Sequence, residues 1–186
     1  MPDYPRIKSR RIIDVSPWMK LIEREVEFTP DDKSELYHAV AQADYIAIVA
    51  MTAAGRIPIV RQYRPAIEEF TWELPAGMVD AGEEPAETCR RELLEETGFR
   101  ALKVHALGEN AACTARLSNR VHSFFVETAA EPAQAPSESA IETRLVTPGE
   151  LGGLIRRGEF TLQLHIGALL VAGLAGHFDL AALQER

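Results

Sequence analysis

Residues 77–99 read Gly77-Met78-Val79-Asp80-Ala81-Gly82-Glu83-Glu84-Pro85-Ala86-Glu87-Thr88-Cys89-Arg90-Arg91-Glu92-Leu93-Leu94-Glu95-Glu96-Thr97-Gly98-Phe99. Proline suits the first helical position, so Glu84-Pro85 predicts a helix start. Gly98 predicts its end, where a left-handed cap favours glycine. On this helix Glu92 lies three residues before Glu95 and four before Glu96, which places the three carboxylates within an arc of roughly 100°. Ala86, Cys89 and Leu93 form an apolar stripe beside that arc, so the acidic face borders the buried one. Like charges at such spacing repel by roughly a few tenths of a kcal/mol per pair. A divalent cation reverses that sign. No His or Cys stands at ligand spacing, and hard oxygen ligands select Mg²⁺, Mn²⁺ or Ca²⁺ rather than zinc. An isolated Arg-Glu-x-x-Glu-Glu would instead read as a solvated helix face.

Outward from this helix, strands and helices mix without a regular βαβ rhythm. Tyr45–Met51 is almost wholly apolar, Ala54-Gly55 turns the chain, and Ile57–Gln62 returns as a second strand. Val104–Leu107, Val121–Glu127 and Ile141–Val146 are further expected strands, and 128–140, rich in Ala, Pro, Ser and Glu, is an expected loop. Helices are expected around Pro148–Arg157 and Thr161–Ala175. Before Asp44 the pattern is alternating: Arg11–Val15, Lys20–Phe28 and Ser34–Val40 predict three strands, the last two joined by a turn at Thr29-Pro30-Asp31-Asp32. Three short strands bury little surface by themselves. They need the rest of the chain or a second copy to pack on. The expected division is an N-terminal antiparallel β region, residues 1–43, and a main α+β domain, residues 44–186.

Gly77, Glu83, Arg91-Glu92-Leu93, Glu95-Glu96 and Gly98-Phe99 keep the spacing of the 23-residue Nudix box, with Phe99 an aromatic where that pattern prefers an aliphatic residue. The chain therefore resembles the Nudix hydrolase family. The resemblance implies an α/β/α sandwich with a mixed sheet and a Mg²⁺-dependent pyrophosphatase, with Mn²⁺ as a substitute. It implies Glu92, Glu95, Glu96 and the Ala76 carbonyl as metal ligands, Arg91 as the group that orients the glutamates, and Glu83 at the outer part of the site. A catalytic base is implied on a loop ahead of a late strand, where Glu138 is the first candidate and Glu142 the second.

The flanks Val60-Arg61-Gln62-Tyr63-Arg64-Pro65 and Trp72-Glu73-Leu74-Pro75-Ala76 resemble the ADP-ribose and ADP-sugar pyrophosphatases, which implies Arg64, with Arg61 nearby, against substrate phosphate. Trp18 resembles the N-terminal tryptophan of dimeric members that stacks on adenine, and Tyr37 would be a second aromatic wall. Trp72 reads as core. ADP-ribose is then the leading substrate, hydrolysed to AMP and ribose 5-phosphate. The stretch Ala112–Asn119 lacks a proline that those enzymes often carry, which leaves GDP-sugars, NADH or FAD open, and a nucleotide sensor without catalysis is the rival reading. A homodimer is expected.

Bulk properties agree with such a protein. In 186 residues, 46% hydrophobic and 26% charged content predict one packed main domain. A net charge of −8 argues against nucleic acid or anionic membrane as a partner. Cys89 and Cys113 lack CxxC spacing and read as free thiols in a reduced compartment. No apolar leader opens the chain, and the longest apolar run, Ile166–Gly176, falls short of the roughly 20 residues that span a bilayer, so a cytoplasmic protein is expected.

Overall fold

The computed structural model describes residues 4–30, 32–138 and 140–185; Asp31 of the expected turn and Ser139 of the expected loop lie outside the described residues. The chain divides into two compact units, Met1–Asp44 with Ala111–Arg120, and Tyr45–Asn110 with Val121–Arg186.

The first unit is an antiparallel sheet of β1 (Arg6–Ser16), β2 (Met19–Glu27) and β3 (Glu35–Ala41), in that order. β1 begins earlier than its apolar alternation suggested. Of the residues added before Arg11, Arg6, Lys8 and Arg10 are cationic, and Lys8 reaches Glu27 of the acidic β2 at 3.6 Å; Arg11, within the expected strand, reaches Glu23 at 3.4 Å. Segment 111–120 joins this unit through Val40, whose N–H donates to the Arg116 carbonyl at 2.7 Å and whose carbonyl accepts from Ser118 N–H at 3.0 Å.

The second unit has two sheets. β4 (Tyr45–Thr52) pairs antiparallel with β7 (Ala76–Met78) and parallel with β9 (Arg120–Thr128), giving the mixed order β7-β4-β9-β8 with β8 (Ala101–Ala111) outermost. The other sheet is β10 (Glu142–Val146), β5 (Ile57–Arg64) and β6 (Glu69–Glu73), all antiparallel. Helix α1 (Pro85–Thr97) covers one face of β4 and β9. Its Cys89 and Leu93 pack with Ile46, Ile48, Ala50, Phe124 and Val126 from alternate strand positions. Phe99 is buried in that same core, so the loosely fitting residue of the motif is a packing residue. Burial pushes the Cys89 thiol up to about 12, so it sits there as an inert apolar group. The opposite face of β4 meets α3 (Gln163–Leu174), with Tyr45 stacked on His165. Helix on both sides of a mixed sheet is the expected α/β/α arrangement. α2 (Pro148–Arg156) starts on a capping box between Thr147 and Glu150.

Two strands went unforeseen, β6 and β7. β7 is three residues, Ala-Gly-Met, without strand propensity; it exists because Ala76, Gly77 and Met78 pair with Ala47, Ile46 and Tyr45. The bend between β6 and β7 is held from two sides. Pro75 carbonyl accepts from Ile48 N–H at 3.0 Å, and Leu74 N–H donates to His165 Nδ1 at 3.0 Å. Because Nδ1 accepts, neutral His165 carries its proton on Nε2 and donates it to the Tyr45 hydroxyl. Thus α3 fixes the backbone that leads into the acidic motif.

Candidate active site

Helix α1 opens at Pro85 with Glu84 as N-cap and closes on Gly98 in the left-handed region, φ 75°. Along its inner edge Arg91 is the hub. Its Nη1 donates to Glu92 Oε1 at 2.6 Å and to Glu95 Oε2 at 3.2 Å, while Nη2 and Nε hold the two oxygens of Glu83 at 2.9 and 3.2 Å. Thr88 Oγ1 also donates to Glu83 at 2.8 Å. The Arg91 and Thr88 bonds hold the Glu83 carboxyl down at about 2, so it is a fixed anion that anchors the guanidinium. Gly77 explains itself beside this hub. A Cβ there would fall inside the Glu92 carboxyl group, so glycine lets the β7 backbone pass while Glu92 keeps this position.

Glu92, Glu95 and Glu138 each bring a carboxylate oxygen within 4.8 Å of the other two. That donor set, all oxygen and all anionic, fits a hard divalent cation. Glu138 arrives on a segment docked to the end of α1. Ala133 N–H donates to the Gly98 carbonyl at 2.9 Å, Ser137 N–H to the Glu95 carbonyl at 2.8 Å, and Thr143 Oγ1 to the Glu96 carbonyl at 2.7 Å. The donors at Ser137 and Thr143 satisfy carbonyls of Glu95 and Glu96 that the last turn of a helix leaves without partners, and Ala133 fastens the glycine cap. The sequence read 128–140 simply as a loop; its backbone is tied to the helix it faces.

Glu96 stands apart from the trio. It is 3% exposed, and its oxygens accept from Ala76 N–H and from Gln62 Nε2, each at 2.9 Å. Burial, followed by the nearby Glu92 and Glu138 carboxylates, pushes its carboxyl up to about 8 against the Ala76 hydrogen bond. Burial raises Glu92 as well. The site thus crowds acids in a way that disfavours their charge.

The expected phosphate-binding arginines separate. Arg64 grips Glu73 side-on, Nε to Oε1 at 2.7 Å and Nη2 to Oε2 at 2.6 Å, with Thr71 Oγ1 donating to the same carboxylate at 2.6 Å. Burial alone would raise Glu73; the Arg64 and Thr71 bonds outweigh it and hold the carboxyl below its usual range. Arg64 and Gln62 lie two apart on β5, on the face toward Glu96. Arg61, one residue out of phase, lies on the other face, 5.1 Å over the Phe70 ring and 6.0 Å over Trp72. Its ion pair at 3.4 Å is with Glu142, which the same alternation turns away from the acidic cluster. Arg61 therefore does not join Arg64, and Glu138 rather than Glu142 meets the glutamates. Trp72 is buried, as expected of core.

Trp18 and Tyr37 belong to the first unit. Trp18 is 71% exposed at the β1–β2 turn. Tyr37 packs edge-on against Phe28 at 5.6 Å, and its hydroxyl donates to Glu35 at 2.9 Å. Sequence reasoning missed Gln62, Ser137 and Thr143. Only Gln62 left a signal, its period-two spacing from Arg64 on a strand.

A family model described as NUDIX domain matches residues 41–164. A CMP-5'-(N-acetyl-N-hydroxy-3-aminopropyl)phosphonate hydrolase of Streptomyces rubellomurinus is 31% identical over 172 residues, which cover 91% of this chain and 82% of that protein. An ADP-ribose pyrophosphatase of Bacillus subtilis is 34% identical over 122 residues, 66% of this chain and 62% of the relative. Among solved structures, a crystal structure of ADP compounds hydrolase superposes with a TM-score of 0.77 over 93% of this chain and 95% of the other, at 18% identity. That last likeness shows the fold.

Proposed function

Because the chain belongs to the Nudix domain family and is a hydrolase of that family, we propose that it is a Mg²⁺-dependent pyrophosphatase that cleaves a nucleoside diphosphate sugar. ADP-ribose is the leading substrate and AMP plus ribose 5-phosphate the products. The observation that carries the proposal is the convergence of Glu92, Glu95 and Glu138 within 4.8 Å beside the Arg91 hub.

Glu92, Glu95, Glu96 and the Ala76 carbonyl are the proposed ligands, and Arg91 holds two of those carboxylates in place. Bound divalent cations would neutralise the diphosphate and lower the pKa of a water. Glu138, on its docked segment, is the proposed base for the proton of the attacking water. Attack at one phosphorus breaks the bridging P–O bond, and the proton count closes with two phosphomonoesters. Arg64 is the proposed phosphate contact. Glu73 occupies its Nε and Nη2, which leaves Nη1, without a hydrogen bond among the described residues, as the open corner of a guanidinium whose plane is already set. Trp18 and Tyr37 are the proposed base-stacking residues, sequence-tolerant as aromatic platforms are.

The Streptomyces relative, aligned over 91% of this chain, is named for a CMP-linked phosphonate, so a cytidine compound stands as the second substrate class. The test is a panel of ADP-ribose, ADP-glucose, GDP-mannose, NADH, FAD and a CMP-linked phosphonate, each with Mg²⁺ or Mn²⁺. ADP-ribose turns over fastest if the proposal holds, and Glu96→Gln lowers turnover by orders of magnitude with the fold intact. Inactivity on every diphosphate with metal demonstrably bound would overturn it. Preference for the CMP compound would move the substrate to the second class.

A further inference from the structure

The Arg91 fork serves Glu83, Glu92 and Glu95. Glu96 is oriented by something else. Ala76 N–H holds Oε2, and Gln62 Nε2 holds Oε1, both at 2.9 Å, so each oxygen spends one lone pair on the protein and keeps another. Ala76 contributes only backbone, a donor almost any residue would supply. Gln62 contributes a side chain from β5, the middle strand of β10-β5-β6, paired with Thr71 on β6 and flanked by the Arg61–Glu142 pair on β10. Pairing with Thr71 fixes the strand phase of Gln62, which turns its side chain to the face where Glu96 lies.

The chemistry of the donor matters as much as its place. A lysine or arginine at position 62 would also bond Glu96, but its charge would neutralise the carboxylate and repel a cation. A carboxamide donates without charge. It can fix the carboxylate and leave its negative charge for a metal.

We propose that Gln62 is a positioning residue that orients the Glu96 carboxylate for divalent-cation binding. The inference rests on the reading of Glu96 as a metal ligand. Groups that hold a ligand typically set metal affinity or activity by about 10–100-fold, and a loss of that size is the effect expected when the Gln62 donor is removed.

The experiment measures Mn²⁺ affinity of the purified protein by the electron paramagnetic resonance of free Mn²⁺, beside thermal unfolding. Gln62→Met keeps the length and removes the donor. Gln62→His returns an N–H near the same point, Gln62→Ala serves if the Met variant does not fold, and Glu96→Gln is the reference. Gln62→Met is expected to weaken Mn²⁺ binding about tenfold or more at an unchanged unfolding temperature, with Gln62→His recovering most of the loss. Mn²⁺ affinity within twofold of wild type in folded Gln62→Met or Gln62→Ala, while Glu96→Gln loses affinity, overturns the role of Gln62 alone. Undiminished affinity and turnover in Glu96→Gln overturn the ligand reading itself and the inference with it.

Discussion

At the scale of single residues, two positions translate local contacts into measurable effects. At Gly77 an added Cβ meets the far end of the Glu92 side chain. A flexible carboxylate can swing away, so Gly77→Ala should fold. The displaced Glu92 then leaves its bond to Arg91 and its place beside Glu95 and Glu138. Turnover and Mn²⁺ affinity should fall by about tenfold or more, since displacements near 1 Å already carry such losses, while thermal unfolding changes little. Equal losses in unfolding temperature and activity would count against this account. At His165 the argument concerns protons. Burial holds the imidazole down at about 4 against a usual 6.5, and Nδ1 already accepts from Leu74 N–H. The unfolded chain binds the proton first as pH drops, so this contribution is fully present above 6.5 and is lost as pH falls toward 4. The loss is on the order of 3 kcal/mol. Urea unfolding of wild type and His165→Gln at pH 7.5 and 4.5 isolates it, because other titrating groups are common to both. A parallel decline in the two proteins would sink the assignment.

At the scale of elements, α1 and the segment that carries Glu138 act as one piece. Gly98 is where they meet. Its φ of 75° favours glycine, and a Cβ there would run into the backbone carbonyl of Gln134. Unlike the Glu92 side chain at Gly77, that carbonyl can yield only if its whole segment moves. Gly98→Ala should therefore cost about 1–2 kcal/mol in the left-handed region alone, roughly 2–8 °C in unfolding temperature. It should also loosen residues 131–138, read as faster proteolysis there, and lower turnover through Glu138. Unchanged cleavage of that segment would show that its docking does not depend on the glycine. The same elements show what the sequence could disclose. α1 was legible because Pro85, Gly98 and the spacing of Cys89 and Leu93 are local signals of a helix, its ends and its buried side. Glu92 and Glu95 were legible with it. β7 was not, since Ala-Gly-Met becomes a strand only through its partners on β4. The docking of 133–137 was invisible as well, because its donors at Ala133 and Ser137 are backbone N–H groups that nearly every residue carries. Arg61 and Arg64 show the middle case. Both suit phosphate by type, and only the strand phase of β5 separates one that shares a face with Gln62 from one that lies over Phe70.

At the scale of the whole molecule, the first unit does not have a core of its own. Among its described residues Ile22 is the one buried hydrophobic side chain, while Ile12, Val15, Trp18 and Leu36 are each more than half exposed. A three-stranded sheet in that condition is stabilised by ladder hydrogen bonds and by ion pairs such as Lys20–Asp14 at 3.1 Å, which are exposed and weak. A second copy of the chain would cover this apolar surface, and a stable interface buries about 1,200 Å² or more. Light scattering at micromolar concentration should then report twice the chain mass of 20.6 kDa, whereas a monomer there would refute the dimer. The register of the sheet makes the covered face testable. Ile12 pairs with Ile22 across β1–β2, and Leu36 pairs with Glu25 across β2–β3. Ile22 and Glu25 are an odd number of residues apart on β2, so Ile12 and Leu36 lie on opposite faces. Ile12→Glu and Leu36→Glu, made separately, should differ: the one on the buried face raises the dissociation constant by an order of magnitude or more, and the other leaves it near wild type. If neither substitution shifts a dimer that light scattering has established, the interface lies on the second unit, and the exposed sheet awaits a different occupant.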